Sequence, residues 1–166
     1  MRCLILFLAF LVTGPQAGAQ VAESAPGGDT AALATAPEID ARAVAELARR
    51  DSLSEAAARR YAETGCDSGT TPAMTYCAEY LFLVDDLRMN DLYQQKVTAS
   101  DKDAVELLRK SQRAWVTYRD SACEYESSGI TGHLHGYYVL SCQSALTKER
   151  VARLEQYASC TQNGCP

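Results

Sequence analysis

Apolar residues recur every three or four positions along three long stretches of this chain. The pattern predicts helices over roughly 75–97, 102–126 and 136–157. Breaks at 98–101 and 127–135 separate them, the second loosened by Ser128, Gly129 and Gly132. Asp101 is a good N-cap for the second helix, with Asp103 and Glu106 at the positive end of its dipole. That helix carries a core-facing stripe at Val105, Leu108, Gln112, Trp115, Arg119 and Ala122. Upstream, 38–63 is rich in Ala, Arg and Glu and favours helix, broken at 51–54 with Ser54 as a second N-cap. Its large apolar residues are few (Ile39, Val44, Leu47, Leu53, Tyr61), which predicts a peripheral N-terminal helical extension. The expected fold class is all-α, a small antiparallel bundle of three main helices braced by disulfides.

The first stretch of the chain reads differently. Arg2, an apolar run from Cys3 to Val12 and a small-x-small Ala17-Gly18-Ala19 predict a signal peptide over 1–19. The run is too short for a membrane span, so no membrane anchor is expected after cleavage, and the location is periplasmic or secreted. Residues 20–37, rich in Ala, Gly, Pro and Ser and lacking aromatics, predict a flexible linker. The helical domain proper is then 64–166.

Removing 1–19 takes out one charged residue, Arg2, and moves the net charge from −5 to −6. Such a chain repels nucleic acid and suits a basic protein partner. Six cysteines remain: Cys66, Cys77, Cys123, Cys142, Cys160 and Cys165. An even number in an exported chain predicts disulfides. Without a C-x-x-C pair the cysteines do not predict a metal site, and no cofactor is expected.

Short breaks make neighbouring helices antiparallel, so residues equidistant from a turn share a height. Cys77, Cys123 and Cys142 then gather at one end, with Cys66 entering just before it. The favoured pairing is Cys77–Cys123 with Cys66–Cys142; the leading alternative is Cys66–Cys77 with Cys123–Cys142. Cys160 and Cys165 are expected to pair with each other. Mirroring about the first break sets Gln112 against Met89-Asn90, which predicts an Asn90–Gln112 contact. Arg119 falls near Phe82, a turn from Asp85 and Asp86. This predicts a bidentate Arg–carboxylate pair, with Trp115 stacked beside it. Such a polar line is read first as a network that specifies the fold.

Several of these residues form a recognisable set: Cys66, Cys77, Met89-Asn90 with Tyr93, Leu108-Arg109, Gln112-Arg113 with Trp115, Tyr118-Arg119-Asp120, Cys123, Cys142, and Thr147 with Arg150 and Leu154. The set, covering roughly Gly65 to Tyr157, resembles the lysozyme inhibitor LprI-like family of small exported helical domains. Met89 stands where that family usually has Leu. The resemblance implies inhibition of lysozyme or a related cell-wall hydrolase. Such enzymes use paired carboxylates in a cleft, which a braced loop could fill. The segment 127–136 offers hydroxyls and imidazoles for this, with Ser127, Ser128, Thr131, His133 and His135 as candidate contacts. The alternative is a non-catalytic interaction or immunity-type module with a different protein partner. Catalysis is not expected: both histidines lie in one Gly-rich loop, and neither a phosphate loop nor a G-x-S-x-G elbow is present.

Overall fold

The structure is a computed structural model and describes residues 38–160. The expected signal peptide, the linker and Cys165 lie outside the described residues. Five α-helices follow in order: α1 Ala41–Arg50, α2 Glu55–Thr64, α3 Thr71–Ala99, α4 Lys102–Ser127 and α5 Leu134–Ser159. A short 3-10 turn, Gly65–Asp67, joins α2 to α3. α3 and α5 extend two to four residues beyond each sequence-predicted bound, while α4 starts where predicted and ends one residue later. The expected caps are in place: the Ser54 side chain accepts from the Ala57 amide at 3.2 Å, and Asp101 accepts from Ala104 at 2.9 Å.

α4 runs antiparallel to both α3 and α5, as its cross-helix pairs show: Gln112 with Met89 and Arg119 with Asp86 on α3, and Gln112 with Arg150 and Arg119 with Thr147 on α5. α3 and α5 therefore run parallel and pack on each other most extensively, whereas α3 and α4 approach closely at few points. Small residues permit that close α3–α5 contact, with Ala78 of α3 and Ser141, Ser144 and Ala145 of α5 lining its flank.

The apolar interior falls into two clusters. One joins Ala43, Val44, Leu47 and Ala48 of α1 and Ala58 of α2 to Tyr80, Phe82 and Leu83 of α3. The second gathers Met89, Leu92 and Leu154, with Tyr93, Leu108, Trp115, Val151 and Tyr157 packed against it. α1 and α2 thus supply more than half of the first cluster's buried residues, more than their few large side chains suggested. Alanines explain it: a helix with Ala43 and Ala48 on its inner face approaches its neighbour closely enough to bury Val44 and Leu47 fully.

Among the described residues, the disulfides are Cys66–Cys77, with Cα atoms 5.3 Å apart, and Cys123–Cys142, at 5.6 Å. This corrects the favoured pairing of Cys77 with Cys123 and Cys66 with Cys142. The four cysteines do share one end of the bundle, but height says nothing about lateral distance. α4 is splayed from α3 and packs on α5, so Cys123 meets Cys142. Cys66 folds back on α3 through Gly65, where an added Cβ would lie 2.7 Å from the Ala73 carbonyl oxygen. Cys160 is also disulfide-bonded.

Candidate functional site

Two regions carry polar chemistry: a buried seam between α3, α4 and α5, and the tip of the α4–α5 hairpin. The seam centres on Arg119, which is 6% exposed. Its Nη1 donates to Asp86 Oδ1 at 3.2 Å and to Thr147 Oγ1 at 3.3 Å, while its Nε donates to Asp120 Oδ1 at 2.9 Å. The guanidinium lies 5.0 Å from the Phe82 ring centre and 5.3 Å from that of Trp115. The Arg–carboxylate pair and its aromatic neighbour are as expected, but the guanidinium gives one bond to each of two carboxylates, Asp86 and Asp120, instead of two to one.

One turn along, Arg150 repeats the arrangement with neutral partners. Its Nε donates to Gln112 Oε1 at 3.0 Å, and its guanidinium lies 5.7 Å from the centre of the Trp115 ring. Burial lowers the Arg150 pKa. Trp115 is shared between two cations. On the other flank, Ser144 donates to Asp85 Oδ2 at 2.6 Å. Burial raises the Asp85 carboxyl, against the pull of Ser144 and Lys148. No buried side-chain nitrogen or oxygen among the described residues lacks a hydrogen-bond partner.

The structure thus brings Gln112, Trp115, Arg119, Asp120 and Arg150 together. Tyr93 joins the adjacent apolar cluster, and Arg113 and Tyr118 face solvent. The expected Asn90–Gln112 contact is not made. Asn90 is exposed and donates to Asp86 Oδ2 at 3.0 Å, while Gln112 turns to Met89 Sδ at 3.2 Å and to Arg150. Mirroring gave the height correctly but was one residue out, and on a helix one residue is a rotation of about 100°. The sequence reading missed Gln143 and Ser144, and it named Asp85 only as a candidate partner for Arg119, whereas Asp85 accepts from Ser144. A visible signal existed: Gln143, Ser144, Thr147 and Arg150 recur at helical spacing along α5.

The hairpin tip is six residues, 128–133, between α4 and α5. The Ile130 amide donates to the Ser127 carbonyl, the His135 amide donates to the Gly132 carbonyl, and Gly132 adopts a positive φ of 74°. Cys123–Cys142 braces the base. Ser128, Thr131 and His133 are exposed. Ser127 is the last residue of α4 and is buried at 3%. His135 is half-exposed, with Nε2 at 3.6 Å from Glu124 Oε2.

His133 also lines a cleft of about 290 Å³ with Asp51, Thr71, Thr75, Tyr76 and Glu79. Burial, the facing Asp51 carboxylate and Glu46 push Glu79 up to about 7, against the pull of Arg50. The hairpin tip and the α1–α2 corner therefore meet at a half-buried acid that titrates near neutrality. Among the described residues, no group of three His, Cys, Asp or Glu side chains is placed to hold a metal, and no helix is long and apolar enough to cross a membrane.

Comparisons with known proteins place the helical region in a family. The family model described as "Lysozyme inhibitor LprI" matches residues 62–154, which takes in Cys66–Cys77, Cys123–Cys142 and the whole seam. An uncharacterized protein of Rhizobium meliloti (strain 1021), R02472, is 31% identical over 106 residues, covering 54% of this chain and 75% of the relative. No solved structure matches. With more than half its length matched, and the matched part holding the seam and its braces, the chain belongs to the lysozyme inhibitor LprI family.

Proposed function

We propose that this protein is exported and binds and inhibits lysozyme or a related basic cell-wall hydrolase, without catalysis of its own. The observation that carries the reading is the match of the lysozyme inhibitor family model across 62–154. The hairpin tip is the proposed contact. It is short, braced by Cys123–Cys142, and presents the Ser128, Thr131 and His133 side chains to solvent, with His135 beside them. Short, tied loops lose little entropy on binding. Hydroxyl and imidazole donors suit the carboxylates of a glycosidase cleft. Ser127, buried at the helix end, supports the tip rather than touching a partner. The acids around the tip, Asp51, Glu124 and Glu126, complement a basic enzyme and would speed encounter.

The test is a titration of the disulfide-bonded protein against a basic lysozyme, following wall lysis and binding at low and moderate salt. The expected result is stoichiometric loss of lysis that persists at about 0.15 M salt. A double substitution of Thr131 and His133 by Ala is expected to weaken inhibition about tenfold or more, as truncation of central interface residues does. Binding that disappears at moderate salt without inhibition would reduce the interaction to charge attraction and overturn the proposal.

A further inference from the structure

The outer face of α4 carries the three most exposed large hydrophobic side chains among the described residues. Leu107 is 69% exposed, Tyr118 58% and Tyr125 81%. They lie on one line with Ser111, Ala114 and Ser121, at successive spacings of four, three, four, three and four. None of the six is charged. Alternating threes and fours keep a stripe on one side of a helix and form the seam of a coiled coil. From Leu107 to Tyr125 the stripe runs roughly 27 Å along the helix.

The stripe is its own reverse. About position 116, Leu107 mirrors Tyr125, Ser111 mirrors Ser121 and Ala114 mirrors Tyr118. Laid antiparallel on a copy of itself, α4 sets each tyrosine or leucine against a large partner at the ends. In the middle it sets alanine against tyrosine. Small opposite large is how facing helices interdigitate. The charges have the same handed order. Over 102–113 four cations outnumber two acids, while over 114–127 three acids outnumber one cation, the buried Arg119. An antiparallel pairing lays the basic half on the acidic half twice over, and brings Lys110 against Glu124 of the partner subunit. A parallel pairing would set like on like.

We propose that α4 is a self-association surface, joining two copies of this chain in an antiparallel, two-fold dimer centred near residue 116. A two-fold contact uses the same patch on both copies, which the palindromic stripe satisfies. A single helix pair is a small interface, so the dimer is weak and forms at elevated protein concentration. The inference is independent of lysozyme inhibition.

Sedimentation of the purified disulfide-bonded protein over a wide concentration range tests it. The expected result is a mass that rises from monomer to dimer. Tyr118→Glu and Lys110→Glu, both at exposed positions, are each expected to weaken the dimer by about tenfold or more, the second by facing Glu124 of the partner subunit with a like charge. The double variant Lys110→Glu with Glu124→Lys is expected to recover most of the loss. A chain monomeric at every concentration, or a dimer indifferent to both single variants, overturns the proposal. A double variant as weak as Lys110→Glu alone overturns the antiparallel register.

Discussion

The two halves of this bundle hold together by different means. Around α1, α2 and the first half of α3 the interior is apolar and small-grained: alanines admit Val44 and Leu47 against Tyr80, Phe82 and Leu83. Across the middle of α3, α4 and α5 the interior is polar, with Arg119 and Arg150 both against Trp115 and acceptors from all three helices. The first kind of core is tolerant, because apolar contacts are non-directional. The second is directional: Arg119 is satisfied only when Asp86, Asp120 and Thr147 reach it together. α3 and α4 touch closely at few points, so this seam, together with the Cys123–Cys142 link to α5, sets α4's register on the α3–α5 pair.

Removing Arg119 should have the largest effect. Arg119→Ala leaves the Asp86 carboxylate facing a void at the centre of the seam, and the expected loss is about 3–5 kcal/mol of unfolding free energy in a urea titration. A loss under 1 kcal/mol would mean the seam contributes little beyond its packing. The matching change in the apolar half, Leu47→Ala, removes a fully buried side chain and is expected to cost about 3 kcal/mol by the same measurement. The comparison sharpens if NMR shows that Leu47→Ala keeps a single set of α4 and α5 signals while Arg119→Ala broadens or doubles them.

The smallest effect lies at the junction of the α1–α2 corner with the hairpin tip. Glu79 has an ordinary value of 4.5 that is raised to about 7 in the fold, so the folded state binds its proton more tightly than the unfolded state. Between those two values the unfolded chain holds fewer protons, and stability therefore falls as pH rises through the window. Above it the Glu79 contribution is gone. Thermal unfolding followed from pH 5 to pH 7.5 is expected to show a falling melting temperature, with a shallower slope in Glu79→Gln. Equal slopes in the two proteins would remove Glu79 as the source. Glu46 and Asp91 do not confuse this window: Arg49 and Arg50 hold Glu46 low, and Arg42 holds Asp91 low, so both titrate below it.

Much of this molecule was legible in the chain because it depends on neighbours in sequence. Helix spacing, the Asp101 and Ser54 caps and the breaks near 100 and 130 are local. The antiparallel mirror about the first break brought Arg119 to Phe82, a turn from Asp85 and Asp86, and the mirrors about both breaks set four cysteines at one end. What needed the tertiary structure is lateral. Which sulfur meets which was decided by the close parallel packing of α3 on α5, which leaves α4 to bond α5 and returns Cys66 to its own neighbour. Asn90 and Met89 share a height but not a face, so a single step of rotation gave Gln112 a sulfur instead of an amide. The weight carried by α1 was hidden because alanine spacing records how near two helices can come, not that they do. Sequence determined the elements, their caps and the order of heights along the bundle; only the packed helices decided distance across it, because burial, disulfide reach and hydrogen bonding fall off within a few ångströms.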